Sequence, residues 1–203
     1  MNVGVRQKVV GVLALQGAFA AHEAALRGLG VGTLQVRTPL DLAGVDALVM
    51  PGGESTTITR LLDIYEMREP LKRLGAAGLP IWGTCAGAIV LAKQATDLDR
   101  PNLALMDIDV RRNAFGRQVD SFEEDLRIEG FGDAPFHAGF IRAPIIDRVG
   151  ASVEVLATLR DGTIVAAREG HLMATSFHPE LTEDARFHAK LVEMARERRG
   201  ARA

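Results

Sequence analysis

The most informative stretch of the sequence is residues 80–93, which read Pro-Ile-Trp-Gly-Thr-Cys-Ala-Gly-Ala-Ile-Val-Leu-Ala-Lys. The apolar run at its start predicts a short buried strand, and Ala86–Lys93 predicts a helix. Between them, a Gly-x-Cys-x-Gly turn places Cys85 at a tight corner that requires small flanking residues. A strand that passes directly into a helix is the repeating unit of a parallel α/β sheet.

Upstream of this stretch, strands and helices alternate. Val9–Leu15 is a continuous apolar run with β-branched residues, as in a strand buried on both faces of a parallel sheet. Residues 16–18 interrupt it, and apolar residues then recur at helical spacing. Thr33–Arg37 and Ala47–Met50 predict two more strands. Ser55 is expected to cap a helix with an apolar stripe, formed by Ile58, Leu61, Leu62 and Tyr65.

Downstream, the pattern changes to antiparallel strands. Leu105–Arg111 alternates apolar and polar residues, which predicts a half-exposed strand, and Phe136–Ile141 predicts another. Tight-turn pairs link a predicted meander of three strands, which are Val153–Leu159, Ile164–Ala167 and His171–Phe177. Glu183–Arg199 predicts the last helix. We therefore expect an α/β fold in three αβα layers, with a largely parallel central sheet and an antiparallel extension.

The composition is that of one globular domain. The 203 residues predict a single domain over 1–203, with flexible ends at 1–8 and 197–203. A net charge of −2 argues against nucleic-acid binding, and a single cysteine excludes an intramolecular disulfide. No cluster in the sequence predicts a metal site.

The sequence predicts no contact with a membrane. The longest uncharged apolar-rich stretch, Leu79–Ala92, is shorter than the roughly 18 residues that a spanning helix needs. Arg6 and Lys8 before the first apolar run resemble the start of a signal peptide, but the run feeds directly into a predicted helix. A buried first strand is therefore the favoured interpretation, and we expect a cytoplasmic protein.

Cys85 is the candidate nucleophile. The predicted corner would expose its side chain at the carboxyl edge of the sheet, where open α/β proteins bind ligands. The positive end of the following helix favours negative charge on the sulfur. A small cysteine that merely fills the end of a strand is the alternative, and this segment alone does not separate the two.

His178 is the best of five histidines as a base for this thiol. It follows a predicted strand and precedes Pro179-Glu180, so Glu180 can fold back to orient the imidazole. His22 and His188 fall within predicted helices, where packing or exposure is the simpler interpretation. His137 and His171 lie in predicted strands without an evident acidic neighbour. Cys85, His178 and Glu180 therefore form a candidate catalytic triad.

The segment Pro51-Gly52-Gly53-Glu54-Ser55-Thr56 allows three interpretations. Glycines before a helix could cradle a phosphate, although no P-loop lysine follows. The backbone N–H groups of Gly53 and Ala86 could instead form an oxyanion hole. A plain turn at the end of the third strand is the remaining alternative.

Gly-Thr-Cys-Ala-Gly with a distant His-Pro-Glu resembles the class I, triad-type glutamine amidotransferases, which share a flavodoxin-like fold. Five segments are similar to the glutaminase subunits of pyridoxal 5′-phosphate synthase, and the likeness extends from about Val9 to Ala195. The five segments are Leu13–Ala18, Pro51–Thr56, Arg112–Gln118, Phe140–Pro144 and Phe177–Glu180.

The resemblance implies an activity and a partner. Such subunits hydrolyse L-glutamine and pass the ammonia to a separate (β/α)₈-barrel synthase subunit, which builds pyridoxal 5′-phosphate from a pentose phosphate and a triose phosphate. The cofactor is a product of the complex, so none is expected on this chain. By position, the family's glutamine-contacting residues fall on Gly53, Glu54, Ser55, Arg112, Ile141 and Arg142.

The resemblance also implies control by the partner. Because an uncoupled glutaminase would waste glutamine, we expect the Gly52-Gly53 peptide to turn into its competent orientation when the synthase docks near the first helix. Two alternatives remain open at this point. One is another amidotransferase or a stand-alone cysteine hydrolase, and the other is a catalytically silent binding subunit.

Overall fold

The computed structural model describes residues 7–114 and 121–198. Its strands, in chain order, are β1 Val9–Leu13, β2 Gly32–Val36, β3 Ala47–Met50, β4 Ile81–Thr84, β5 Ala92–Ala95, β6 Met106–Arg111, β7 Ser121–Leu126, β8 Phe136–Ile141, β9 Ile145–Val149, β10 Glu154–Thr158, β11 Ile164–Glu169 and β12 Leu172–Thr175. Its α-helices are α1 Phe19–Gly28, α2 Ser55–Ile64, α3 Arg68–Ala76, α4 Ala86–Leu91 and α5 Arg186–Glu197.

One sheet of ten strands organises the described chain. Its order is β2-β1-β3-β4-β12-β11-β9-β6-β5, and β10 pairs with β11. The strands from β2 to β12 along this order are parallel, whereas β12-β11, β11-β9, β9-β6 and β10-β11 are antiparallel. A separate antiparallel ribbon joins β7 and β8. The predicted parallel sheet with an antiparallel extension is confirmed.

The sheet is covered by apolar side chains on both faces. On one face, Trp82 packs with residues of α1 and α5, including Leu26 and Phe187. On the other face, Ile81 packs with residues of α2 and α3, including Ile58 and Leu71. These strands read as continuous apolar runs because both of their faces are buried, and the three-layer αβα prediction follows from the same pattern.

Several predicted boundaries are wrong. Ser55 is the first residue of α2, and Glu54 is the cap, because its carboxylate accepts a hydrogen bond from the Thr56 N–H at 3.1 Å. The helix after Cys85 ends at Leu91, since the chain turns there into β5. One α-helix and three strands were not predicted, namely α3, β5, β7 and β9.

Two other predictions concern residues that the structure does not describe. Residues 115–118 of the Arg112–Gln118 motif lie outside the described residues, as does most of each end predicted to be flexible. Within residues 7–114 and 121–198, no helix combines the length and the apolar character needed to cross a bilayer.

Candidate active site

Cys85 occupies a strained corner between β4 and α4. Its backbone has φ 48° and ψ −106°, a conformation that a non-glycine residue seldom adopts. Close packing requires the glycines on either side, because a Cβ at Gly83 would lie 2.5 Å from the backbone of Gly87, and one at Gly87 would overlap the Met50 carbonyl oxygen. The Cys85 N–H donates to the Thr175 carbonyl at 2.8 Å, which ties the corner to β12.

His178 and Glu180 lie in the turn after β12. The backbone N–H of His178 donates to the Gly139 carbonyl of β8 at 3.0 Å, and Pro179 begins a single 3-10 turn that contains Glu180. This turn brings Oε1 of Glu180 within 2.7 Å of Nδ1 of His178. The carboxylate side chain is fully buried, whereas the imidazole is 12% exposed and reaches the surface.

The surroundings of His178 favour its protonated form. Burial by itself would lower its pKa, but hydrogen bonds to Cys85 and Glu180, together with their negative charges, raise the pKa to about 10. The pKa of Glu180 is lowered, because the hydrogen bond from His178 and nearby imidazoles outweigh the effect of its own burial. The arrangement therefore suits a thiolate beside an imidazolium, with the carboxylate behind it.

Gly52 packs closely against both Cys85 and His178. A Cβ at Gly52 would lie 3.3 Å from Cβ of Cys85 and 2.5 Å from Cε1 of His178. Any larger residue at this position would therefore displace the imidazole of His178. The structure thus brings the candidate nucleophile, base and orienting acid together, as the sequence predicts.

A cavity of about 310 Å³ opens onto this group. Its lining contains every residue that the resemblance implies for glutamine binding and both candidate oxyanion donors. These residues are Gly53, Glu54, Ser55, Ala86, Arg112, Ile141 and Arg142, with Cys85 and His178. Glu180 lies behind His178 and does not line the cavity. A larger and more open depression of about 540 Å³ lies over β7 and β8 and contains neither Cys85 nor His178.

The cavity lies at a single edge of the sheet. Gln16 follows β1, Gly53 follows β3, Cys85 follows β4 and His178 follows β12, and these four strands are neighbours in the sheet. The order of strands changes direction at β1, which lies between β2 and β3. Ligands of open α/β sheets bind at this kind of switch point, at the carboxyl ends of the strands.

The two arginines of the cavity differ in their surroundings. The guanidinium of Arg112 already has two protein partners, because one of its nitrogens lies 3.1 Å from Oε1 of Glu54 and another donates to the Asp97 carbonyl. The guanidinium of Arg142 has no hydrogen-bond partner among residues 7–114 and 121–198. The backbone of Arg142 has φ 43°. Partial burial would raise the pKa of Glu54, but Thr56 and the charges of both arginines lower it.

The Gly52-Gly53 peptide is anchored by the turn before α1. The Gly52 carbonyl accepts a hydrogen bond from the Ala18 N–H at 3.1 Å, so the trans peptide directs the Gly53 N–H away from that turn. Oε1 of Gln16 accepts the Glu54 N–H at 2.7 Å and fixes the next peptide. Gln16, Ile89 and Asn113 line the cavity as well, although the sequence did not single them out as site residues.

The other histidines differ from expectation. His137 was expected to have no acidic neighbour, but Asp125 lies 2.8 Å and Glu123 3.3 Å from its ring, on the exposed face of the β7-β8 ribbon. His22 and His188 are fully buried, as packing residues would be, yet they lie directly behind Glu180. Contacts between residues more than 150 positions apart cannot be found from local sequence.

Within the described part of the chain, no group of three or more His, Cys, Asp or Glu side chains is arranged to hold a metal ion.

The sequence and the fold are similar to those of known proteins. The model of the SNO glutamine amidotransferase family matches residues 12–197. "Pyridoxal 5′-phosphate synthase subunit PdxT" of Herpetosiphon aurantiacus is 63% identical over 182 residues, which cover 88% of this chain and 96% of the relative. A protein of the same name from Dehalococcoides mccartyi is 56% identical, covering 92% and 97%.

A solved structure described as a glutamine amidotransferase superposes with a TM-score of 0.87 at 49% identity, covering 92% of this chain and 98% of that one. A mostly parallel sheet with a Cys-His-Glu group at its carboxyl edge defines the class of triad-type amidotransferases. The chain belongs to the SNO glutamine amidotransferase family. The family resemblance and fold class predicted from the sequence are confirmed.

Proposed function

We propose that this protein hydrolyses L-glutamine to L-glutamate and ammonia, with Cys85 as nucleophile, His178 as base and Glu180 as the residue that orients it. The observation that carries the proposal is the position of Cys85 and His178 on the wall of one cavity, with Glu180 2.7 Å behind the imidazole. Loss of Cys85 or His178 would remove the nucleophile or its activation, whereas loss of Glu180 would weaken the orientation of His178.

The reaction proceeds in two halves. The Cys85 thiolate attacks the carboxamide carbon of glutamine, and the tetrahedral oxyanion is bound by the N–H groups of Gly53 and Ala86. His178 then donates its proton to the departing nitrogen, so the C–N bond breaks, ammonia leaves and a thioester remains. In the second half, His178 takes a proton from water, the resulting hydroxide attacks the thioester, and glutamate and the thiolate are released.

Ala86 and Gly53 are suited to this role for different reasons. Ala86 is the first residue of α4, where a backbone N–H has no partner within the helix. The Gly53 N–H depends on the orientation of the preceding peptide, which the Ala18 N–H fixes through the Gly52 carbonyl. One donor of the proposed oxyanion hole is therefore positioned by the start of a helix, and the other by the hydrogen bond that holds the Gly52-Gly53 peptide.

The free amino-acid end of the substrate requires charged partners. The guanidinium of Arg142, which has no hydrogen-bond partner among the described residues, is the natural ligand of the α-carboxylate, because arginine binds carboxylates in a bidentate manner. Arg112 holds Glu54 in place. The negative charge of the Glu54 carboxylate can in turn bind the positively charged α-ammonium group of the substrate. Ser55 and Ile141 complete the lining of the pocket.

The ammonia is delivered, in this proposal, to a (β/α)₈-barrel subunit that makes pyridoxal 5′-phosphate. Support comes from the relatives named as synthase subunits at 56–63% identity over nearly their whole length. A protein that serves such a complex works in the cytoplasm, as the sequence predicts. The isolated chain is then a weak glutaminase that is stimulated by its partner at least about tenfold, or roughly 1.4 kcal/mol of transition-state stabilisation.

Ammonia release from glutamine, measured for the chain with and without the synthase subunit, tests this function. A diazo-ketone analogue of glutamine should label Cys85, the only cysteine, and abolish turnover. The Cys85→Ser variant is the matched control, since it changes one atom and should neither turn over nor be labelled. Hydrolysis of glutamine by Cys85→Ser at the wild-type rate would refute the assignment.

A further inference from the structure

Glu180 has a second oxygen that the triad does not use. Oε1 accepts from His178, but Oε2 is buried and has no hydrogen-bond partner among the described residues. A buried carboxylate oxygen without a donor is costly, so a nearby donor is expected. Nε2 of His22, on α1, lies 3.4 Å from this oxygen, and both side chains are fully buried.

His22 belongs to a buried group of polar side chains. Its Nδ1 lies 3.0 Å from Nε2 of His188 on α5, and its Nε2 lies 3.4 Å from Oγ1 of Thr84 on β4. Oγ1 of Thr84 accepts the N–H of Gly52 at 2.9 Å. His22 therefore stands between the acid of the triad and the segment that carries the candidate oxyanion donor.

The burial of these imidazoles keeps both neutral. Desolvation lowers the pKa of His22 to about 4 and that of His188 to about 3, although the charge of Glu180 opposes both shifts. Each ring therefore carries one N–H at neutral pH, and its position determines which groups are satisfied.

Counting hydrogen bonds selects one tautomer. If His22 carried its proton on Nδ1, it would donate to His188, which would leave a buried N–H on Nδ1 of His188 without a partner and Oε2 of Glu180 without a donor. If His22 carries its proton on Nε2, His188 donates to it, and the Nε2–H faces Glu180. That arrangement leaves an acceptor nitrogen of His188 and the hydroxyl proton of Thr84 without partners among the described residues. This costs less than an orphaned N–H together with an ionised carboxylate oxygen that has no donor.

We propose that His22 is a positioning residue, which donates its Nε2–H to Oε2 of Glu180 and so holds the carboxylate in the orientation and charge state that His178 requires. His188 fixes the tautomer of His22. The inference rests on the proposed function for its catalytic consequence, although not for its geometry. His22 does not touch the substrate cavity, so it acts only through Glu180.

The test compares His22→Leu, which removes the donor, with His22→Gln, whose amide can place an N–H where Nε2 lies. In the complex, His22→Leu should lower kcat for glutamine about tenfold or more with KM changed less than about threefold, whereas His22→Gln should retain kcat within about threefold. Leu26→Ala is the matched control, because Leu26 is buried one turn away on the same helix and carries no polar group.

A second measurement does not depend on glutamine. Cys85 is the only cysteine, so the rate of its alkylation by iodoacetamide reports the thiolate-imidazolium pair across pH. Without the His22 donor, Glu180 accepts a proton at higher pH and His178 loses its counter-charge. The acid limb of the alkylation profile should therefore move upward by about one pH unit in His22→Leu and stay in place in His22→Gln. The other titratable groups around His22 and Glu180 are His178, His188 and Cys85.

The outcomes separate the two proposals. Wild-type protein that alkylates normally but never hydrolyses glutamine, even with the synthase, would refute the proposed function and leave the role of His22 to the alkylation profile. An unshifted acid limb in His22→Leu, or an equal shift in Leu26→Ala, would overturn the role of His22. Should His22→Leu not fold, His22→Met takes its place, because it also lacks a donor; the same shift is expected, and no shift would refute the proposal.

Discussion

At the scale of single residues, the site depends on His178, which lies between Cys85 and Glu180. Its pKa is raised to about 10 by Cys85 and Glu180 in spite of burial. The Cys85 elbow and the His-Pro-Glu turn were evident from local sequence, because each is a contiguous motif. His22 and His188 could not be predicted as parts of the site, since their contacts with Glu180 and with each other depend on how α1 and α5 pack.

His178→Asn should be nearly inactive, because the imidazole both stabilises the thiolate and protonates the departing ammonia. Glu180→Gln should be impaired less, since Glu180 makes no bond to substrate. The double variant should resemble His178→Asn alone, because residues that act as a unit are not additive. Steady-state kinetics in the complex measures all three, and a tolerant His178→Asn beside a crippled His171→Asn would disprove the triad.

Arg142→Ala should raise KM for glutamine about 10–100-fold with little change in kcat, because a charge-assisted contact of about 1.5–3 kcal/mol is lost equally from ground and transition states. Arg112→Ala should raise KM as well, and it also frees the Glu54 carboxylate from its ion pair. Initial rates against glutamine concentration provide the measurement. A wild-type KM in both variants would remove the two arginines from substrate binding.

At the scale of elements, four loops after adjacent strands meet at one edge of the sheet. The sequence predicts those strands because they are apolar on both faces and end in Gly, Pro or Cys turns. It does not predict α3 and β7, because their many charged residues make the apolar periodicity hard to recognise. In β7, for example, the sequence Ser121–Leu126 is Ser-Phe-Glu-Glu-Asp-Leu. It also misses β5, since nothing in Ala-Lys-Gln-Ala suggests a strand until β6 pairs with it.

Gly53→Val should lower turnover of the complex about 10²–10³-fold while the complex still forms. A Cβ at Gly53 would overlap Oε1 of Gln16, so the peptide that carries one oxyanion donor would be displaced. Gly28→Ala is the control, because nothing lies within 4 Å of a Cβ at that exposed position. Co-elution with the synthase separates binding from turnover, and full stimulation of Gly53→Val would show that this peptide does not supply a donor.

At the scale of the whole molecule, two neutral imidazoles are enclosed between the sheet and its helices. The folded-state pKa values of His22 and His188, about 4 and about 3, lie below the value of 6.5 expected when unfolded. The unfolded chain therefore binds more protons at acid pH, so this contribution to stability is present above about pH 6.5 and is lost as the pH falls toward 4 and 3.

The free energy of unfolding should consequently fall as the pH is lowered from 6.5 to 4. Each of the two histidines contributes about 1.4 kcal/mol per pH unit over the range in which it is protonated in the unfolded chain and neutral in the folded protein. His188→Gln removes one of the two and should flatten the acid side of the curve. Urea unfolding at a series of pH values measures the slope. An identical slope in His188→Gln and wild type would show that His188 is protonated in the folded protein.

The most direct test of the proposed function follows the nitrogen itself. Glutamine labelled with ¹⁵N on its amide is supplied to the chain and the synthase subunit together, and the ¹⁵N content of the pyridoxal 5′-phosphate formed is measured by mass spectrometry. Wild-type protein should transfer the label, whereas Cys85→Ala should form the product only when ammonium salts are added. Label transfer by Cys85→Ala, or product without label from the wild type, would contradict a Cys85-dependent supply of ammonia to the synthase.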